Sequence, residues 1–320
     1  MRKRIFSGLC IIGALFAMPA FASDELDLAI QSAREHCSGI ADEFNKMKTL
    51  AGINTAVTGV GTLAGGGAIA TGFAKVGVDK KAEEAEIKLT RLREIEAGGT
   101  FTESVPDNFL NEFTTYFQQN RAELAAEQAR LQAEKDELER KSKNLGNWRT
   151  GLIAGNTATN VAGAIIAGKN KATTDLKGAI DDCKASLKDL PRIRMQARMD
   201  GADTAKLDIA EKIISACGAW EYTDTSKIDN RANAAMWSSI VGAGMGAAGT
   251  VTSAVANTDK TRDNNTDKGK ANEKNLNTAS NVLAIGATAA SATAVVFNAT
   301  QIAAIKKASA VADKCEEALQ

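Results

Sequence analysis

Proline, histidine and aromatic residues are scarce in this chain of 320 residues. It has three prolines, one histidine and 5% aromatic residues. Because proline interrupts helices, its scarcity beside much Ala, Glu, Lys and Leu predicts a mostly helical protein. A charge excess is also lacking, since 39 basic residues face 39 acidic ones. Nucleic-acid-binding proteins favour a basic excess, so we expect no nucleic-acid partner.

Sequence motifs for metal binding and catalysis are lacking as well. No Cys-x-x-Cys pair or Cys/His spacing indicates a zinc site, and the only histidine is His36. Gly244-x-Gly246-x-x-Gly249 has the spacing of a dinucleotide-binding fingerprint, but that motif needs a preceding strand and a parallel βαβ unit. Its neighbours have helical character instead. We therefore predict a protein that is not an enzyme and holds no cofactor or metal.

The N-terminus has the pattern of a secretory signal. Basic residues at positions 2–4 precede the apolar run Ile5–Met18, and Ala20-Phe21-Ala22 is a small-x-small cleavage site. A retained anchor is the alternative, but the apolar run is short for a membrane span. We predict a signal peptide over residues 1–22, a mature chain from Ser23, and export from a bacterial cytoplasm.

In an exported protein, the cysteines that remain after signal removal are expected to form disulfides. Four remain after the signal, and an even number in an exported chain indicates disulfides. They are Cys37, Cys183, Cys217 and Cys315.

Four uncharged segments rich in Gly, Ala and Thr dominate the rest: Leu50–Ala74, Gly151–Gly168, Ala234–Ala256 and Val282–Ile305. Glycine costs a helix about 1 kcal/mol relative to alanine, so glycine-rich helices need a compensating contact. Small residues four apart allow close helix packing. The residues predicted to pack in this way are Gly61, Gly65, Gly151, Gly155, Gly242, Gly246, Gly286 and Ala290.

The cysteine spacing suggests a tandem duplication. Cys37 precedes Asp79-Lys80 by the same 42 residues that separate Cys217 from Asp259-Lys260. Each half then reads as cysteine, small-residue helix, turn, small-residue helix, cysteine. In an antiparallel hairpin, residues equidistant from the tip are neighbours. The sequence therefore predicts disulfides Cys37–Cys183 and Cys217–Cys315, each closing the base of one hairpin.

The first hairpin is longer than the second, and its extra residues predict an arm over about residues 79–145. The charged helix over 79–97 has the apolar spacing of a coiled coil. Its predicted antiparallel partner has apolar residues, mostly leucines, every seven positions, although the second core position of each seven-residue repeat is mostly polar. The alternative is a long helix lying along the bundle surface. The seam residues are Val78, Ala82, Ala85, Leu89 and Leu92, opposite Leu110, Phe117, Leu124, Leu131, Leu138 and Leu145.

The predicted architecture is all-α, with four Gly/Ala-rich helices packed as a bundle. Residues 23–190 form the first hairpin and 229–320 the second. Residues 191–228 form a polar connector that contains a helix near Ala205–Cys217.

The medium around the four segments is left open by the sequence. Each segment is long enough to span a membrane, and four crossings would place all four cysteines on the exported side. Against this, Asn54, Asn156, Asn160, Asn298 and Gln301 make the segments weakly hydrophobic.

A soluble bundle is the competing interpretation. Leu50, Ile53, Val57 and Val60 share one face of the first segment, which would form the core. Thr55, Thr58 and Thr62 would then turn towards water.

The sequence predicts a role rather than a reaction. We expect a cell-envelope structural or interaction protein, in the periplasm or embedded in a membrane, whose arm binds a protein partner or a second copy. The alternative is a pore-forming or membrane-permeabilising protein.

Overall fold

The computed structural model describes residues 18–96, 121–258 and 267–320. These residues form helices joined by short turns and include no strand, so the all-α prediction is confirmed for them. Most of the predicted signal peptide lies outside the described residues. So do Leu110, Phe117 and the predicted turn at 98–108. The polar run Asp259–Lys274 was predicted as a turn, but from Asp267 onwards it is helical, and its residues 259–266 lie outside the described part.

Four long helices and a set of short ones make up the fold. Their bounds are α1 Met18–Cys37, α2 Ile40–Glu96, α3 Arg121–Lys169, α4 Thr174–Lys188, α5 Leu190–Met199, α6 Thr204–Cys217, a 3-10 helix Gly218–Tyr222, α7 Ser226–Ala256 and α8 Asp267–Leu319. Each uncharged segment lies within one long helix, α2, α3, α7 or α8.

Two glycines mark sharp turns between helices. Gly39, between α1 and α2, and Gly201, between α5 and α6, both have φ of 77°, which favours glycine because it has no Cβ. Gly39 therefore separates α1 from α2. The connector is also more helical than predicted, because Pro191 lies in the first turn of α5 rather than in a loop.

The chain divides into two compact units, and each draws on both predicted hairpins. The first comprises Met1–Thr58, Ala162–Ser239 and Thr293–Gln320, and the second comprises Gly59–Val161 and Ile240–Ala292. Each of the four long helices contributes residues to both units.

The first unit has a conventional apolar core. Leu26, Ile30, Phe44, Ile213 and Trp220 are among its buried members, and the Phe44 and Trp220 rings stack with centroids 5.9 Å apart. Among the described residues of the second unit, the four-helix part has a small apolar cluster of Ala68, Ile153 and Ala284. The two units therefore differ in what their interiors are made of.

Candidate functional site

The buried side of α2 is lined by small and polar residues. Its interior positions recur at the 4-3 spacing of a helix that packs in a bundle. They are Asn54, Thr58, Gly61, Gly65, Ala68, Gly72 and Lys75.

The outward side of the same helix carries the large apolar residues. Ile53 is 48% exposed, Val60 59%, Leu63 79% and Phe73 62%. The interpretation of Ile53 and Val60 as a soluble-bundle core is therefore wrong, because Asn54 and Thr58 are buried in their place. Soluble helices bury the apolar face, so this part of α2 has the reverse polarity.

The other three long helices show the same reversal. The interior of α3 includes Arg149, Asn156 and Asn160, and Asn170 directly after it is also buried, while Trp148, Val161 and Ile165 are exposed. Buried polar residues of α7 and α8 are Ser239, Ser253, Asn277, Ser280, Ser291, Asn298, Gln301 and Ser309. Their exposed apolar residues are Trp237, Ile240, Val241, Met245, Val251, Val255, Val282, Ile285 and Val296.

A buried polar cluster joins α3 to α8 in the second unit. Asn160 Nδ2 donates to Asn156 Oδ1 at 2.9 Å and to Ser291 Oγ at 2.8 Å. Ser291 Oγ also lies 2.9 Å from Asn156 Oδ1. All three residues are almost fully buried, so their hydrogen bonds replace those that water would give.

Glycines from neighbouring helices make room for these amides. A Cβ at position 65 of α2 would lie 2.8 Å from Asn156 Nδ2, and one at position 242 of α7 would lie 2.9 Å from the Asn160 side chain. A Cβ at position 61 would lie 2.3 Å from Thr159 Oγ1. These glycines therefore receive polar side chains of the opposite helix.

The first unit contains a second buried amide pair. Asn54 Nδ2 donates to Asn298 Oδ1 at 2.9 Å, and Asn298 Nδ2 lies 3.4 Å from Thr58 Oγ1. Gly163 of α3 faces this pair, since a Cβ there would lie 2.7 Å from Thr58 Cγ2 and 3.3 Å from Asn54 Oδ1. The pair links α2 to α8.

Two cations are buried in the second unit, where the uncharged segments of α2 and α3 meet charged sequence. Lys75 Nζ forms ion pairs with Asp79 at 2.7 Å and Glu273 at 2.9 Å. Arg149 Nη2 donates to the Asn277 carbonyl at 3.3 Å, and it has no carboxylate partner among the described residues. These cations lie next to the segments rather than within them.

The predicted packing residues divide into two groups. Gly61, Gly65, Gly242 and Gly246 face side chains of another helix, and a Cβ at Gly286 would lie 2.5 Å from Met245 Sδ. Ala290 is half-buried. Gly151 and Gly155 differ from the expectation, because no atom of another described helix lies within 4 Å of their Cβ positions.

The disulfides lie in the first unit and join the pairs that the midpoint argument predicts. The Sγ atoms of Cys37 and Cys183 are 2.01 Å apart, as are those of Cys217 and Cys315. All four cysteines are buried in the apolar core.

Beyond residue 75, α2 contacts the first part of α3. Lys135 Nζ lies 3.8 Å from Glu86, Gln128 Nε2 donates to Glu96 at 3.0 Å, and Ser142 Oγ donates to Asp79 at 2.5 Å. Ala85, Leu89, Leu124 and Leu131 are buried. On the outer side, the hydrogen bond from Arg130 holds the pKa of Glu127 below its ordinary value, so this face stays charged.

Three of the described helical stretches are long and apolar enough to cross a membrane: Asp24–Glu94, Ser226–Ala256 and Ala271–Leu319. At most a third of each apolar window is buried inside the protein. The helix α3, with Gly151–Gly168, does not reach that apolarity, which differs from the expectation of four equivalent spans.

Comparison with family models, curated proteins and solved structures finds no match for this chain.

Sequence reasoning missed the role of Ser291, Arg149 and Lys75. The 4-3 spacing that links Asn54 to Lys75 through glycines was a usable signal. It was hidden because an apolar face is ordinarily taken as the buried one.

Proposed function

We propose that this is an exported, non-catalytic protein of the bacterial cell envelope whose four long helices span a membrane. The observation that supports this most is the reversed burial along α2, where Asn54 and Thr58 are inside and Leu63 and Phe73 outside. In lipid the outward apolar face is solvated by acyl chains. Small residues and buried amides then hold the helices together.

The helix lengths fit this placement. The shortest uncharged stretch, residues 150–168 of α3, is about 28 Å long at 1.5 Å per residue, close to the roughly 30 Å of a hydrocarbon core. The lower apolarity of α3 is compatible with insertion beside α2, since Asn156 and Asn160 then bond inside the protein.

Two tandem antiparallel hairpins form the proposed arrangement of the spans. The contacts of α2 with α3 support the first hairpin, because the position numbers of each pair add to nearly the same value. Gly61 with Thr159, Gly65 with Asn156, and Cys37 with Cys183 all follow this rule. In the second hairpin, Gly249 with Leu283 and Cys217 with Cys315 do the same. The duplication implied by the cysteine spacing is part of this proposal.

Four crossings would place both disulfides on the exported side, where thiols oxidise. The paired ends of α2 and α3 would then lie on the opposite side. We propose that they form an antiparallel coiled-coil arm over about residues 79–145 that binds a protein partner or a second copy. Buried Leu89 and Leu131 and the Lys135–Glu86 pair support the arm.

Alkaline extraction of isolated envelopes tests the membrane proposal. An embedded protein stays in the pellet, whereas a periplasmic bundle moves to the supernatant. The arm is tested by deleting residues 79–144, which should abolish pull-down of the partner. Persistence of the same partners without the arm would show that the assignment is wrong.

A membrane-permeabilising protein is the second candidate. One observation favours it, because the buried atoms Asn54 Oδ1, Ser239 Oγ and Gln301 Oε1 have no hydrogen-bond partner among the described residues. Unpaired polar atoms between the helices are expected where the interior of a helix bundle opens to water. Dye release from liposomes distinguishes the two, since a structural protein leaves vesicles sealed.

A further inference from the structure

The two disulfides of the first unit are neighbours. The Sγ atoms of Cys37, Cys183 and Cys315 all lie within 4.8 Å of one another, and Cys217 Sγ is bonded to Cys315. The four residues come from four helices, α1, α4, α6 and α8, so the helix packing brings the sulfurs together. All four are at most 3% exposed.

We infer that the same four cysteines form a tetrathiolate site for one Zn²⁺ ion when both disulfides are reduced. Tetrahedral Zn²⁺ with Zn–S bonds of about 2.3 Å holds its sulfurs roughly 3.8 Å apart. The bonded sulfurs would separate, and the sulfurs of Cys37, Cys183 and Cys315 already lie within 4.8 Å of one another.

The donor set and its surroundings select the metal. Four thiolates in an apolar core suit Zn²⁺ and exclude the oxygen-preferring Mg²⁺ and Ca²⁺. The Ser186 hydroxyl lies 3.9 Å from Cys37 Sγ and can donate to a thiolate in exchange for its bond to the Cys183 carbonyl. His36 is not a ligand, since its exposed ring lies 2.8 Å from the Ser32 carbonyl.

Reduction of both disulfides precedes zinc binding. Two molecules of a dithiol reductant each give two electrons and two protons to one disulfide and become disulfides themselves. The four thiols that form then lose four protons to solvent as one Zn²⁺ binds. The oxidised state belongs to an oxidising compartment and the zinc state to a reducing one.

Cobalt titration of the full chain in detergent tests the site. The protein is reduced with a phosphine without oxygen, the reductant is removed, and Co²⁺ is added. We expect one Co²⁺ per chain, with the intense visible absorption of tetrahedral thiolate coordination, and displacement by Zn²⁺. Unreduced protein should show no such absorption. Its absence from the reduced protein as well would overturn the inference.

Single variants separate this site from loose thiol binding. Cys217→Ser should lower the Co²⁺ affinity at least about tenfold and change the spectrum, whereas His36→Ala should leave both unchanged. An unchanged spectrum in Cys217→Ser contradicts a four-sulfur site.

Circular dichroism covers the case in which reduction unfolds the first unit. Zinc should then restore the helicity, and failure to restore it contradicts the site. None of these measurements depends on whether the long helices lie in lipid.

Discussion

Asn54 and Asn298 form a side-chain hydrogen bond of 2.9 Å between α2 and α8, and both residues are fully buried. A bond of this kind leaves an unpaired buried amide when one partner is replaced. Such an amide costs about 1–3 kcal/mol, while an apolar replacement of both partners is nearly neutral.

We expect Asn54→Leu and Asn298→Leu each to lower the thermal stability in detergent. The double variant should be less destabilised than the sum of the two single variants. The check is a double-mutant cycle followed by circular dichroism. Additive effects would mean that the two amides are not coupled.

The glycines of α2 and α3 offer a matched pair of substitutions. Gly61→Ala places a Cβ 2.3 Å from Thr159 Oγ1, so we expect a loss of about 1–3 kcal/mol in the free energy of unfolding. Gly155→Ala adds a methyl group in open space, and its better helix propensity should raise stability by up to about 1 kcal/mol. Thermal unfolding of both variants decides this. Equal effects would show that the polar side chains do not define the packing.

Two exposed leucines test where lipid contacts the protein. Leu63 of α2 is 79% exposed and Leu28 of α1 is 66% exposed, so neither substitution removes a core contact. Leu63→Arg should greatly reduce the alkaline-resistant fraction, because a charge within a span costs about 2.5–3.5 kcal/mol or more. Leu28→Arg should leave that fraction unchanged. Loss of membrane retention in both variants, or in neither, would contradict the assignment of residue 63 to lipid.

The disulfides should matter most for the first unit. Cys37→Ser with Cys183→Ser opens a loop of 146 residues, and loops of this size are stabilised by about 4–5 kcal/mol in the chain-entropy model. We expect a lower midpoint of thermal unfolding under non-reducing conditions. Peptide mapping without reduction gives the matching covalent evidence, and recovery of Cys37 linked to Cys217 would contradict the pairing.

Engineered cysteines test the register of the arm. Glu86→Cys with Lys135→Cys should form a crosslink, since these side chains meet between α2 and α3. Glu86→Cys with Glu127→Cys is the control, because Glu127 bonds Arg130 on its own helix. We expect gel mobility to show a crosslink only in the first variant. A crosslink only in the control would refute the antiparallel register.

The sequence predicted helices and cysteine pairs better than it predicted which side of a helix is buried. Charge-free runs and cysteine spacing depend on local composition and on hairpin symmetry, and both can be counted. The helical periodicity of α2 shows which residues share a face. It does not show whether the apolar or the polar face is buried, because that depends on the surrounding solvent. The pattern predicts Ile53 and Val60 inside, as in a helix surrounded by water, whereas both are exposed.

Gly151 and Gly155 show that the spacing of small residues does not by itself predict a helix contact. Their spacing matches that of Gly242 and Gly246, yet only the second pair faces side chains of another helix. A spacing of four defines a face of one helix and does not say which neighbour lies against it. The turn at Gly39 was also missed, because a single glycine in a helical pattern is compatible with either continuation or a break.

A spin label at position 63 gives the most direct test of the central claim that the reversed helices lie in lipid. In membranes containing the protein, the label on Leu63→Cys should collide more with oxygen, which concentrates in the hydrocarbon core, than with a water-soluble nickel complex. A label on Leu28→Cys should show the opposite preference. Preferential collision with the nickel complex at position 63 would contradict the account and place the four helices in water.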